Sequence, residues 1–141
     1  MTGTGATTIQ GKVEGGCLCG AIRYSLGGEI AESAYCHCRT CHRQSGAPVV
    51  AWFALAPAQF AYTKGKPKTF RASARAGREF CGECGTYLLF REDDPAATLG
   101  VNTATLDDPK QVPPAFHIYC QSRIAWFDTA DRLPRYEQGR K

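Results

Sequence analysis

The chain lacks the features that mark several common protein classes. No apolar run approaches the ~20 residues of a membrane-spanning helix, so a membrane protein is not expected. The opening stretch, MTGTGATTIQGKVEGG, has neither a basic start nor an apolar segment of the secretory type. An intracellular, cytoplasmic location is therefore expected. Dense basic runs are missing too. Lys and Arg are scattered along the chain, so nucleic acid is not an expected partner despite a formal net charge of +4. Apolar residues at helical spacing are scarce, which predicts little helix. Methionine occurs once, at Met1. The hydrophobic fraction of 43% and charged fraction of 21% exclude neither a core nor solubility, and they argue against a disordered or fibrous chain.

What is present is a series of short β-type runs punctuated by Gly and Pro. AIRYSL (21–26) alternates, and APVVAWFAL (47–55) is apolar and β-branched, as an interior strand requires. FAYT (60–63), KTFRAS (68–73) and REFC (78–81) are shorter strand candidates, with TKGKPK as a turn. TYLLFRE (86–92), TLGVNTATL (98–106) and AFHIYC (115–120) complete the set. One helical turn is expected near RTCHRQSG, and a loose one late in the chain. At 141 residues the chain reads as a single domain over 11–141, preceded by a mobile tail over 1–10.

Cysteine is abundant, with eight residues in a pattern. They fall as C-x-C (Cys17, Cys19), C-x-C-x-x-C (Cys36, Cys38, Cys41) and C-x-x-C (Cys81, Cys84), with Cys120 alone. In a reducing compartment such groups point to metal or catalysis before disulfides. GGCLCG and FCGECG look like paired metal knuckles, each supplying half of a tetrahedral thiolate site. Gly16, Gly20, Gly82 and Gly85 are expected to let the backbone turn its amides toward sulfur. Cys17, Cys19, Cys81 and Cys84 are therefore assigned to one closed, structural zinc site. A thioredoxin-type reading of Cys81 and Cys84 fails for want of a βαβ setting.

The middle group leaves three thiolates. Cys38, Cys41 and His42 also spell the C-x-x-C-H haem-attachment string, but no export signal and no methionine ligand accompany it. Three thiolates around a second zinc with an open fourth position form a catalytic type of site. The alternative is a closed site whose fourth ligand is His37, His42, His117 or Cys120. His37 and His42 abut ligand cysteines, where chelation of the same ion would be cramped; spacing does not exclude His117 or Cys120. Seven thiolates (−7) and two Zn²⁺ ions (+4) would lower the formal charge of +4 to about +1.

The segments GGCLCGAIRY, YCHCRTCHRQSGAPVVAWFAL, FCGECGTYLLF and HIYCQSRIAWFDTADRLPRYE resemble the glutathione-dependent formaldehyde-activating enzyme and centromere protein V family over residues 15–136. The resemblance implies a mainly β, tent-like arrangement of antiparallel sheets stapled by a structural Cys₄ zinc. It implies that Cys17, Cys19, Cys81 and Cys84 hold that zinc, and that Cys36, Cys38 and Cys41 hold a catalytic one. It also implies a carbon–sulfur lyase that forms S-(hydroxymethyl)glutathione from glutathione and formaldehyde. His117, Arg123 and Trp126 fall in the family's C-terminal motif, whereas Cys120 departs from it.

Zinc bound by three thiolates would hold an incoming small-molecule thiol, such as glutathione, as thiolate near neutral pH. Arg39 and Arg43 flank the cluster and are candidate partners for the substrate's carboxylates; solvent exposure is the plain alternative. Ser45 and the Gly46 N–H are candidates to meet a developing alkoxide, unless they only launch the next strand. Two other functions stay open: a zinc-stabilised binding module without chemistry, and a family enzyme acting on a different thiol.

Overall fold

Six consecutive apolar residues, Val50–Leu55, show how the sequence builds the fold. In an extended strand they alternate between faces. Phe53 and Leu55 are fully buried on one face, while Val50, Trp52 and Ala54 line a cleft on the other. A strand used on both faces needs an unbroken apolar run, and this one has it.

A computed structural model describes residues 7–140. Its strands are β1 (Thr7–Gly16), β2 (Arg23–Ile30), β3 (Glu32–Cys36), β4 (Val50–Leu55), β5 (Phe60–Lys64), β6 (Lys68–Arg71), β7 (Ala76–Phe80), β8 (Tyr87–Glu92), β9 (Leu99–Asn102) and β10 (Phe116–Ile118). Helix α1 (Arg39–Ser45) joins β3 to β4. The strands form a three-stranded sheet, β1-β2-β5, and a seven-stranded sheet, β10-β3-β4-β9-β8-β7-β6. Tyr24, Leu26 and Ile30 of the small sheet cluster with Phe53, Leu55, Leu89 and Val101 of the large one, giving the main core. Among the described residues, no helix is long and apolar enough to cross a membrane.

The mainly β reading and every strand expected from sequence have counterparts, with four differences. First, β1 and β3 are additional. β1 begins at Thr7, so of the expected mobile tail Thr7–Ile9 pair with β2, starting at Thr7 opposite Ile30, and Gln10 falls where the register shifts between Ile9 and Lys12. Residues 1–6 of that tail lie outside the described residues. Second, β10 runs parallel to β3, an exception among strand pairs that are otherwise antiparallel as expected. Third, the 98–106 strand stops at Asn102 and becomes a 3₁₀ turn over Thr103–Thr105. There the Thr105 hydroxyl donates to the Asn102 carbonyl at 2.7 Å, a local bond that competes with the ladder. Fourth, the expected single turn near RTCHRQSG is a seven-residue helix, and the late turn is a 3₁₀ turn at Cys120–Ser122.

Candidate metal centres and an adjoining cleft

The two knuckles are built alike. Cys17 starts a turn after β1, where Gly20 N–H donates to the Cys17 carbonyl at 3.2 Å. Cys81 starts another after β7, where Gly85 N–H donates to the Cys81 carbonyl at 2.8 Å. Gly20 and Gly85 both have φ of +82°, a conformation that side chains disfavour. Gly16 and Gly82 do not share it, so the backbone freedom expected of them is not used. Backbone N–H groups of Ile22, Glu83 and Cys84 point at sulfur, the first at 3.2 Å from Cys17 Sγ and the others at 3.3 and 3.4 Å from Cys81 Sγ.

The four sulfurs of Cys17, Cys19, Cys81 and Cys84 lie within 4.8 Å of one another. Cys19 Sγ is 3.7 Å from Cys17 Sγ and 3.8 Å from Cys81 Sγ. A tetrahedron with metal–sulfur bonds of about 2.3 Å has edges of about 3.8 Å, so the set fits a tetrahedral thiophilic ion such as zinc. These separations are far beyond the ~2.05 Å of a disulfide, and none of the eight cysteines is in one.

The second set is assembled from the end of β3 and the start of α1. Cys36 is the last residue of β3, and Cys38 caps α1, its sulfur accepting the Cys41 N–H at 3.3 Å. Gly46, in the left-handed region, ends the helix. Cys41 Sγ lies 3.4 Å from Cys36 Sγ, and the three sulfurs are within 4.8 Å of one another. Among the described residues, no further His, Cys, Asp or Glu completes the set. Hydrogen bonds from Cys36 and Cys41 lower the Cys38 thiol, whereas hydrogen bonding with Cys38 and Cys41, then burial, raises Cys36.

This three-sulfur set opens on a cleft of about 530 Å³ across the outer face of the large sheet. Register explains its walls. Glu32, Ala54, Gly100, Phe90 and Arg78 lie in one cross-strand row, and Trp52 faces Asn102 in the next. Tyr87 completes the aromatic wall, and burial pushes its phenol up to about 12, so it is neutral at pH 7.

The family described as glutathione-dependent formaldehyde-activating enzyme matches residues 12–122, which include both cysteine sets and this whole cleft wall. The chain belongs to that family. Among proteins similar to this chain, a Schizosaccharomyces pombe protein named an uncharacterized lyase is 34% identical over 79 residues. That match spans 56% of this chain and 57% of the relative. A crystal structure of a Rhodobacter sphaeroides protein shares 26% identity with a TM-score of 0.52, covering 69% of this chain and 92% of that one.

In this family member the residues named from sequence beside the three-cysteine set do not line the cleft. Arg39 and Arg43 are exposed on α1, outside the cleft wall, and Arg39 Nη1 lies 3.2 Å from His42 Nδ1. Ser45 Oγ donates to the Cys41 carbonyl at 2.7 Å and accepts the Ala47 N–H, so it shapes the turn into β4. Gly46 N–H is used by the His42 carbonyl. Arg123 caps the turn over 124–127 through the Ile124 and Phe127 carbonyls, and Trp126 is 76% exposed. Cys120 is half-buried at a 3₁₀ turn and outside both sets.

His37 and His117 are both buried, and His37 Nε2 lies 2.8 Å from His117 Nδ1. His117 Nε2 in turn lies 3.1 Å from Asp131 Oδ1. Burial, followed by the field of His117, lowers His37 to about 4, so its ring is neutral at pH 7. The chain of contacts thus anchors the 36–38 loop to the C-terminal segment. The sequence offered His117 as a candidate fourth ligand of the three-cysteine set, which it does not join, and did not single out Arg78, Tyr87, Trp52, Asn102 or Asp131 as site residues. The one signal in the sequence for Arg78 is its place three residues before the Cys81 knuckle.

Proposed function

We propose that this chain is a carbon–sulfur lyase-type enzyme that joins a small-molecule thiol to a small carbonyl, with glutathione and formaldehyde giving S-(hydroxymethyl)glutathione. The observation that carries the reading is the three-sulfur set of Cys36, Cys38 and Cys41, which has no fourth ligand among the described residues and faces a cleft large enough for a tripeptide-sized ligand. Family membership supports the reaction class.

Cys17, Cys19, Cys81 and Cys84 would hold a structural zinc, tying the end of β1 to the end of β7. Cys36, Cys38 and Cys41 would hold a second zinc, whose chemistry when bound is to keep an incoming thiol ionised near neutral pH. In the overall reaction the sulfur lone pair forms the C–S bond, the carbonyl π pair moves to oxygen, and the thiol proton ends on that oxygen. Trp52, Tyr87 and Phe90 would cover the reacting carbon and limit water. The Tyr87 O–H accepts from Arg78 and keeps its own proton, leaving it able to donate to the carbonyl oxygen as negative charge grows there.

Exchange-transfer NMR on glutathione plus formaldehyde tests this, because adduct formation is reversible and proceeds without enzyme, so rates must be compared. Native zinc-loaded protein should accelerate exchange and Cys41→Ser should not. Equal rates with and without native protein would remove the glutathione–formaldehyde assignment.

A further inference from the structure

Arg78 is the single cation among the residues lining the cleft that Cys36, Cys38 and Cys41 face. It projects from β7 opposite Phe90 of β8. Its guanidinium carbon lies 5.3 Å from the Tyr87 ring centre and 5.1 Å from that of Phe90, and Nη1 donates to the Tyr87 hydroxyl at 2.7 Å. These contacts fix the group in place, and none of them brings negative charge.

The neighbouring carboxylate is engaged elsewhere. Glu79 projects to the opposite face of β7, as strand alternation requires, and binds Arg91 Nε at 2.5 Å and the Tyr62 hydroxyl at 2.8 Å. Arg23, Arg71, Arg91, Arg135 and Arg140 each face a carboxylate within ion-pair distance. Arg78 faces none among the described residues. Of the two acidic residues in the cleft wall, Glu32 lies four strands away and faces Arg140 at 3.6 Å, and Glu92 is exposed at the end of β8. Arg78 Nε is buried with no hydrogen-bond partner. A partly buried guanidinium with one of five donors used and no carboxylate partner, the Cys41 sulfur being the negative group whose charge it favours, is costly for the protein alone. It suits a planar anion entering the cleft.

We propose that Arg78 is the carboxylate anchor of this cleft, so that the site selects thiols bearing a carboxylate over neutral thiols. The inference rests on the thiol-binding reading of the cysteine set, and its test keeps the two apart. Arg39 and Arg43, closer to the cluster in sequence, have no part in this selection.

Calorimetric titration of the zinc-loaded protein with glutathione, glutathione dimethyl ester and S-methylglutathione separates charge from thiol. Native protein should bind glutathione about 10- to 100-fold more tightly than the ester. Arg78→Gln should abolish that preference while changing ester affinity less than about threefold, and Arg78→Lys should fall between. Melting temperature and zinc content of both variants report whether the fold survives. Equal binding of acid and ester by native protein, or equal weakening of both by Arg78→Gln, would overturn the inference. S-methylglutathione keeps the carboxylates but has no ionisable thiol, so native protein should bind it more weakly than glutathione. If the two bind equally, the thiol reading fails, while loss of S-methylglutathione affinity in Arg78→Gln would still identify the anchor.

Discussion

His37 Nε2 lies 2.8 Å from His117 Nδ1, joining the loop between Cys36 and Cys38 to a strand 80 residues later in the chain. The contact exists because β10 runs parallel to β3, placing His117 beside Tyr35 in register. His117→Phe would keep the stacking on Tyr35, now at 4.8 Å between ring centres, and leave His37 Nε2 without a partner. An unpaired buried group costs about 1–3 kcal/mol. Denaturant unfolding should show a loss of that size. Cobalt titration should show weaker binding at the three-cysteine set with the four-cysteine set unchanged. Identical cobalt affinities at both sets would remove the positioning role.

Asp131 adds a pH dependence. Burial alone would raise its carboxyl, but hydrogen bonds from Thr129, the Leu133 N–H and His117 outweigh it and hold the group well below the usual carboxylate range. A depressed acid contributes stability above its unfolded pKa of about 3.9, and that contribution is lost as pH falls through the lower folded value. Asp131→Asn should therefore be less stable than native protein at pH 7 and converge on it in strong acid. Melting curves collected from pH 7 to pH 2 give the comparison; parallel curves throughout would mean that the carboxylate contributes nothing.

The two cysteine sets should respond differently to ligand loss. Cys81 is 1% exposed and sits in the main core, so Cys81→Ser should lower the metal count by one and cost the cooperative fold. Cys41→Ser should also lose one metal yet melt close to native protein. Native mass spectrometry gives the metal count and circular dichroism the melt. Two metals retained by Cys41→Ser would show that Cys41 is not a ligand.

Gly100 forms part of the cleft floor. A Cβ there would meet only Trp52 Cε3 at 3.8 Å and Phe90 Cβ at 3.9 Å, so alanine is accommodated. Gly100→Leu would instead extend its side chain into the cleft. Its expected result is a native-like melt, unchanged metal content and a loss of glutathione affinity of about tenfold or more, read by the same calorimetry. Undiminished glutathione binding would place the ligand elsewhere.

The sequence by itself determined the strand-rich fold and both cysteine sets, because each is written in local chemistry. APVVAWFAL must be covered on both faces wherever it lies. C-x-C and C-x-x-C followed by glycine make sulfur-lined turns from within six residues, and Gly20 and Gly85 behave as that chemistry requires. β3 was hidden because ESAYC carries little apolar pattern, and β1 because TTIQGKVEGG is half exposed and buries only Ile9 and Gly15.

Only the tertiary structure decided what surrounds the three-cysteine set. Arg39 and Arg43 are its neighbours in sequence, yet α1 turns them outward to solvent. Arg78 is 37 residues beyond Cys41, and although REFC reads as a strand, nothing in it tells which face Arg78 takes or which strands lie beside it. Strand register puts it opposite Phe90 on the cleft face, while Arg75 precedes the strand. The parallel β10–β3 pairing likewise chose His117 as the partner of His37. Each cysteine turn is shaped by a few neighbouring residues, whereas the walls of a cleft depend on which distant strands pair and in what register.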